Sequence, residues 1–109
     1  AFEVQWDGTA PLALPGGGTL RLLGASGFEA SVRVRARRGG ERIRLPGRTH
    51  SHALKHVLQD LQVPPWVRAR LPVLVDGANQ VLAAADLAYS AGFDAWLHAR
   101  NARLHWGAQ

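Results

Sequence analysis

Ten of the thirteen Lys and Arg residues lie between Arg33 and Arg70, a stretch that holds only two acids, Glu41 and Asp60. That stretch carries a formal charge of about +8, and the remainder, with three bases and six acids, about −3. The guanidinium group is a planar, permanently charged fork that grips phosphate oxygens through paired hydrogen bonds. A charge split this uneven points to a polyanionic partner, of which nucleic acid is the commonest. The alternative is a solvated basic surface with no particular partner. Pattern favours the first reading, because the charges are not scattered.

Other residue types could do different chemistry. His50, His52 and His56 include a pair one helical turn apart, a spacing that can hold zinc. Position 53 is Ala, where a metalloprotease helix has Glu, and the chain has no Cys. A solvated polar stripe is the expected role, with no metal. Gly16-Gly17-Gly18-Thr19 places a hydroxyl beside glycines, but no Asp accompanies it and a strand pattern follows, so it reads as a turn. The eight acids are dispersed, so no catalytic residues are expected. His98 and His105 read as surface residues.

The elements that must position the cations follow from periodicity. Val32, Val34 and Ala36 alternate with Arg33, Arg35 and Arg37, the period-two signature of a half-buried strand. Gly39-Gly40 suits a two-residue hairpin loop, whose residues need positive φ. The return strand would be Arg42-Ile43-Arg44-Leu45. That register sets Arg37 opposite Arg42, Ala36 opposite Ile43, Arg35 opposite Arg44 and Val34 opposite Leu45. One face of this hairpin, from Ser31 to Pro46, is then apolar and the other a block of arginines. Like charges directly opposite cost a few tenths of a kcal/mol per pair, and a phosphate backbone across the face would relieve that cost.

From Ser51 to Gln62, Leu54, Val57, Leu58 and Leu61 make an apolar helical stripe opposite His52, Lys55, His56 and Gln59. Ser51 suits the N-cap, and Pro64-Pro65 ends the helix. A short turn, Trp66 to Arg70, leads into Leu71-Pro72. Elsewhere, Phe2 to Trp6 and Thr19 to Leu23 read as strands. Val73 to Val75 and Gln80 to Ala83 read as a buried hairpin. Phe93 to Ala99 fits a short helix or a strand, and Arg103 to Trp106 a closing strand. Trp6, Trp96 and Trp106 sit in apolar segments and are expected in the core. Trp66 invites base stacking beside Arg68, but its place after two prolines suits a hydrophobic anchor, and a core position is expected for it too.

The fold class expected is α+β, a small, mostly antiparallel sheet with a basic β-hairpin and one principal amphipathic helix. A chain of 109 residues makes one domain with one core. Residues 1–30 would be lead-in strands, 31–77 the basic hairpin, helix and turn, and 78–109 closing strands. No run is long enough to span a membrane, and no signal-peptide pattern is present. The chain has no Met at all, which predicts a segment of a longer protein. The absence of Cys is compatible with a cytoplasmic location.

The run Arg37-Arg38-Gly39-Gly40-Glu41-Arg42-Ile43-Arg44-Leu45 is followed in order by Leu54-Lys55-His56-Val57-Leu58-Gln59. Then come Val63-Pro64-Pro65-Trp66-Val67-Arg68, Leu71-Pro72-Val73-Leu74 and Asp76-Gly77. This ordered series resembles the C-terminal domain of bacterial tRNA(Ile)-lysidine synthetase over roughly half the chain, Arg35 to Gly77. Upstream, Trp6-Asp7-Gly8, Pro11-Leu12 and Leu14-Pro15 are similar to that family's lead-in. His56 stands where the family often has a second basic residue, and an unperturbed His is mostly neutral at pH 7.

The resemblance implies an accessory domain of a ligase. The full enzyme of that family uses ATP, with magnesium, and free lysine to convert the wobble cytidine of an isoleucine tRNA into lysidine. Its N-terminal catalytic domain carries a Ser-Gly-Gly-x-Asp-Ser loop, which this sequence lacks. No cofactor is expected in this domain, and whether to call it an enzyme depends on the parent. Its expected partners are the acceptor stem of tRNA(Ile) and the enzyme's own catalytic domain. Arg35, Arg37, Arg42, Arg44, Lys55 and Arg68, with Arg48 and Arg70 behind them, are the expected contacts to the RNA backbone. Two other classes remain: a protein-interaction domain docking its basic face on an acidic surface, and a free-standing nucleic-acid-binding module. Neither a helix-turn-helix nor a zinc-finger pattern supports the latter.

Overall fold

The computed structural model describes residues 2–107; Ala1, Ala108 and Gln109, the ends of the expected single domain, lie outside the described residues. A five-stranded antiparallel sheet forms the centre, in the order β1 (Glu3–Trp6), β4 (Val32–Ala36), β7 (Pro72–Val75), β8 (Val81–Ala84), β9 (Ala88–Tyr89). A second sheet joins β10 (Arg103–Gly107), β3 (Thr19–Leu23) and β2 (Leu12–Ala13). The third is a two-stranded ribbon of β5 (Arg42–Ile43) and β6 (His52–Ala53). Three helices complete the chain: α1 (Leu54–Asp60), α2 (Pro65–Arg68) and α3 (Ala91–Ala99). The architecture is α+β, as the sequence predicts.

Strand β7 explains the layering. All four of its residues are buried, because successive side chains enter opposite faces of the sheet and both faces are covered. Val73 and Val75 pack with Ile43, Leu54, Leu58 and Leu71, under β5 and α1. Leu74 packs with Trp6, Leu20, Val34, Phe93, Leu97 and Leu104, under α3 and the second sheet. Strand β4 obeys the same alternation: Val32 and Val34 join the second cluster, while Arg35 lies opposite Val73 and so shares the face turned toward β5.

The expected basic hairpin does not form. Val32–Ala36 and Arg42–Ile43 are both strands, but β4 is hydrogen-bonded on one edge to β1 and on the other to β7. With both edges taken, β5 pairs instead with β6, Arg42 opposite Ala53 and Ile43 opposite His52. Arg37 is therefore not opposite Arg42, nor Arg35 opposite Arg44. Gly39 and Gly40 do adopt positive φ, +87° and +78°, in a loop that carries the chain from one sheet to another.

Helix α1 starts at Leu54 without a side-chain cap. Ser51 serves elsewhere, accepting a hydrogen bond from Arg42 Nε at 2.9 Å. At the far end Gln62 turns left-handed, φ +60°, its N–H bonding Gln59 O and the next N–H, of Val63, bonding Leu58 O. That paired arrangement satisfies the last carbonyls and stops the helix ahead of the prolines. Helix α3 resolves the ambiguous segment. Ser90 Oγ accepts from Phe93 N at 3.2 Å, and Asn101 supplies the left-handed exit, φ +52°. Among the described residues no helix is long and apolar enough to cross a membrane.

Candidate nucleic-acid interface

The ten cations between Arg33 and Arg70 separate into two groups. Four are engaged by carboxylates. Arg33 reaches Glu3 at 3.0 Å, and Arg38 pairs with the other oxygen of Glu3. Arg35 is 5% exposed and bonds Glu41 Oε2 at 2.9 Å. Arg37 lies 3.9 Å from Glu41 Oε1 and donates a long hydrogen bond, 3.4 Å, to the carbonyl of Arg68. Arg35 is thus internal and Arg37 half-buried, rather than on the exposed face expected of them.

Glu41 organises that interior. Its Oε2 also accepts from Arg38 N at 2.6 Å, and its Oε1 from Gly39 N at 3.1 Å. Burial pushes the carboxyl's pKa up, but the Arg38 amide and the Arg35 guanidinium outweigh it, and the group titrates below its ordinary value. The Glu41 carbonyl accepts from Leu54 N at 2.9 Å, fastening the start of α1 to the same loop. The Arg35 charge is thereby paired within the fold before any partner arrives.

Arg42, Arg44, Arg48, Lys55, Arg68 and Arg70 are different. Among the described residues none has a carboxylate oxygen within 4.0 Å. Arg42, Arg44, Arg48, Lys55 and Arg70 are exposed and Arg68 half-buried. Arg42 is held in place by hydrogen bonds from Nε to Ser51 Oγ and from Nη2 to Ser51 O, both 2.9 Å. Arg44 leans on the Arg48 carbonyl at 3.3 Å. Arg70 lies over the Trp106 ring, 5.3 Å from its centre. These contacts orient the guanidinium groups and leave their charge free for an external anion.

Arg42 stands at the junction of two clefts of about 480 Å³ each. One has Arg42, Arg48, His52 and His56 around an apolar floor of Leu45, Val57 and Leu61. The other has Arg42, Arg44, Ser51 and Gln80 along its wall. Asp60 lines the first cleft and Asp76 the second. Among the described residues no group of three or more His, Cys, Asp or Glu converges in a metal-binding arrangement.

The tryptophans depart from the sequence reading at one position. Trp6 is buried at 5% exposure, whereas Trp66, expected in the core, is 71% exposed. Helix α2 buries none of its four residues, and the turn is anchored by the fully enclosed Leu71. A tryptophan after two prolines carries no local signal of which way it faces.

Residues 32–106 match the family model described as TilS substrate C-terminal domain. The chain is 61% identical to a tRNA(Ile)-lysidine synthase of Xanthomonas axonopodis pv. citri, covering 96% of this chain and 24% of the relative. It is 54% identical to one of Xylella fastidiosa, with 96% and 25% covered. A tRNA(Ile)-lysidine synthase of Pseudomonas putida is 41% identical, with 90% and 22% covered. The chain thus spans about a quarter of the length of these curated relatives. The fold is similar to a solved structure described as the crystal structure of TILS C-terminal domain, with TM-score 0.74 over 99% of this chain and 97% of that one, at 23% identity. An arginine-rich strand, loop and helix in a fixed order, the matching fold and the relatives at high identity agree: the chain belongs to the TilS substrate C-terminal domain family.

Proposed function

We propose that this chain is the accessory domain through which a tRNA(Ile)-lysidine synthase holds its tRNA. The observation that carries the reading is the group of six cations without a carboxylate partner, Arg42, Arg44, Arg48, Lys55, Arg68 and Arg70, within a segment whose other four cations are paired with Glu3 and Glu41. A fold that only needed solubility would gain nothing from gathering unpaired charge in one segment, whereas a phosphate backbone compensates it on binding. An A-form stem hides its major groove from side chains, so contacts fall on phosphates and 2′-hydroxyls. The acceptor stem is such a helix, and binding it leaves the anticodon free for a catalytic domain elsewhere in the parent enzyme. ATP, magnesium and lysine act at that other domain, where the wobble cytidine is modified.

The test is a titration of the purified chain with tRNA(Ile) transcript and with duplex DNA of similar length across a salt series. Tighter, salt-sensitive binding to the tRNA is the expected result. Binding to the separately purified remainder of a parent enzyme, with no affinity for either nucleic acid, would instead make the basic face a protein-docking surface.

A further inference from the structure

We propose that Trp66 is a stacking platform for an unpaired nucleobase of the RNA that this domain holds. The other three indoles are spoken for. Trp6 donates to the Ala10 carbonyl at 2.8 Å. Trp96 donates to Glu29 at 2.7 Å and has the Arg100 guanidinium over its ring at 4.2 Å. Trp106 lies beneath Arg70. Trp66 alone among the four is exposed, at 71%, and among the described residues no ring, cation or hydrogen-bond partner engages it.

The ring is nevertheless held on a stiff mount. Pro65 occupies the first helical position and Pro64 caps it with φ −61°, near the angle proline imposes. The amides of Val67 and Arg68 bond the Pro64 carbonyl, and that of Ala69 the Pro65 carbonyl, each at 3.0 Å. Arg37 reaches the Arg68 carbonyl and ties the turn to the end of β4. An aromatic surface on a prefixed turn loses little entropy when something lands on it.

Charge decides what lands. No acid occurs from Leu61 to Val75, and Arg68 and Arg70 follow the ring in the chain. Aromatic surface in a stretch of chain that holds cations and no acid suits a base with its phosphates rather than an apolar protein surface. Bases inside a duplex present no free face, so the platform takes a nucleotide beyond the end of a stem or in a loop. This inference rests on the reading of the face as an RNA-holding one and deepens it.

Two RNAs test it: a hairpin with a blunt end and the same hairpin with a short single-stranded 3′ extension. The chain should bind the extended RNA at least about fivefold more tightly, the lower end for one base stacked on an aromatic ring. Trp66→Ala should erase that preference while leaving the blunt-hairpin affinity, its salt slope and the melting temperature unchanged. Trp66→Phe should keep part of the preference. A wild-type chain without the preference, or a Trp66→Ala variant that retains it, overturns the proposal. So does a Trp66→Ala melting temperature lowered by several degrees, which would make the ring a fold anchor. If Trp66→Ala weakens binding to the remainder of a parent enzyme and leaves the RNA preference intact, the ring belongs to a protein contact. Failure of both RNAs to bind at low salt overturns the RNA reading as a whole; salt-sensitive binding of both without preference overturns only the stacking.

Discussion

Glu41 shows how one acid governs a basic neighbourhood. Its side chain is 3% exposed, as the Arg35 side chain beside it is 6%, so neither charge is dissolved in water and each depends on the other. Removing one member of a buried pair leaves the other charge uncompensated, at a cost of about 3–5 kcal/mol. Glu41→Ala should therefore lower unfolding free energy at neutral pH by that order, read from a urea titration. The sign with pH follows from the direction of the shift. The folded carboxyl titrates below its ordinary value of 4.5, so its contribution is full above that value and is lost as pH falls through the folded pKa. Glu41→Gln should flatten this part of the acid limb, and a variant whose stability falls as steeply as the wild type below pH 4.5 would contradict the assignment. Arg35→Ala should destabilise in the same way yet leave the salt slope of RNA binding unchanged at a temperature where the variant is folded.

At the scale of elements, the third helix and the small ribbon make separate predictions. The Ser90 hydroxyl is the side-chain cap of α3. Its loss in Ser90→Ala should cost about 1 kcal/mol, visible as a shift in denaturation midpoint with no change in RNA affinity. The ribbon of β5 and β6 presents Arg42, and Arg44 follows just beyond it. Because Arg42 does not face Arg37 across a ladder, removing it relieves no repulsion, and Arg42→Ala should not stabilise the fold. Each of Arg42→Ala and Arg44→Ala should weaken tRNA binding and reduce the slope of log affinity against log salt by somewhat under one unit. An unchanged slope for both variants would remove this ribbon from the interface.

Across the whole molecule, internal pairing and external availability divide the positive charge. The formal net charge is +5, but the useful quantity is the number of cations free to meet phosphate. If all six uncompensated side chains do so, affinity should fall with salt at a slope of about 4 to 5 in magnitude, from roughly 0.7–0.9 per neutralised phosphate. A slope near 1 or 2 would mean that most of the six stay solvated. These six lie outside the five-stranded sheet, on the β5–β6 ribbon, the two short helices and the loops beside them.

Much of this was legible in the chain itself. Phe2 to Trp6, Thr19 to Leu23, Val32 to Ala36 and Arg103 to Trp106 read as strands because side-chain direction in a strand depends only on neighbouring residues. Leu54, Val57, Leu58 and Leu61 read as the apolar stripe of a helix for the same local reason; the first three are buried, while Leu61, at the end of α1, is 52% exposed. The ordered motifs from Arg37 to Gly77 carried the family resemblance, and the basic segment carried its charge. Tertiary structure decided what those patterns leave open. Strand pairing is a contest between partners: β4 met Glu3–Trp6 and Pro72–Val75, distant in sequence, and left Arg42 to pair with Ala53. That choice turned Arg35 from a candidate contact into the buried partner of Glu41. Trp66 stayed outside because α2 buries none of its residues, and burial is a property of the assembled fold that a residue's neighbours in the chain do not encode.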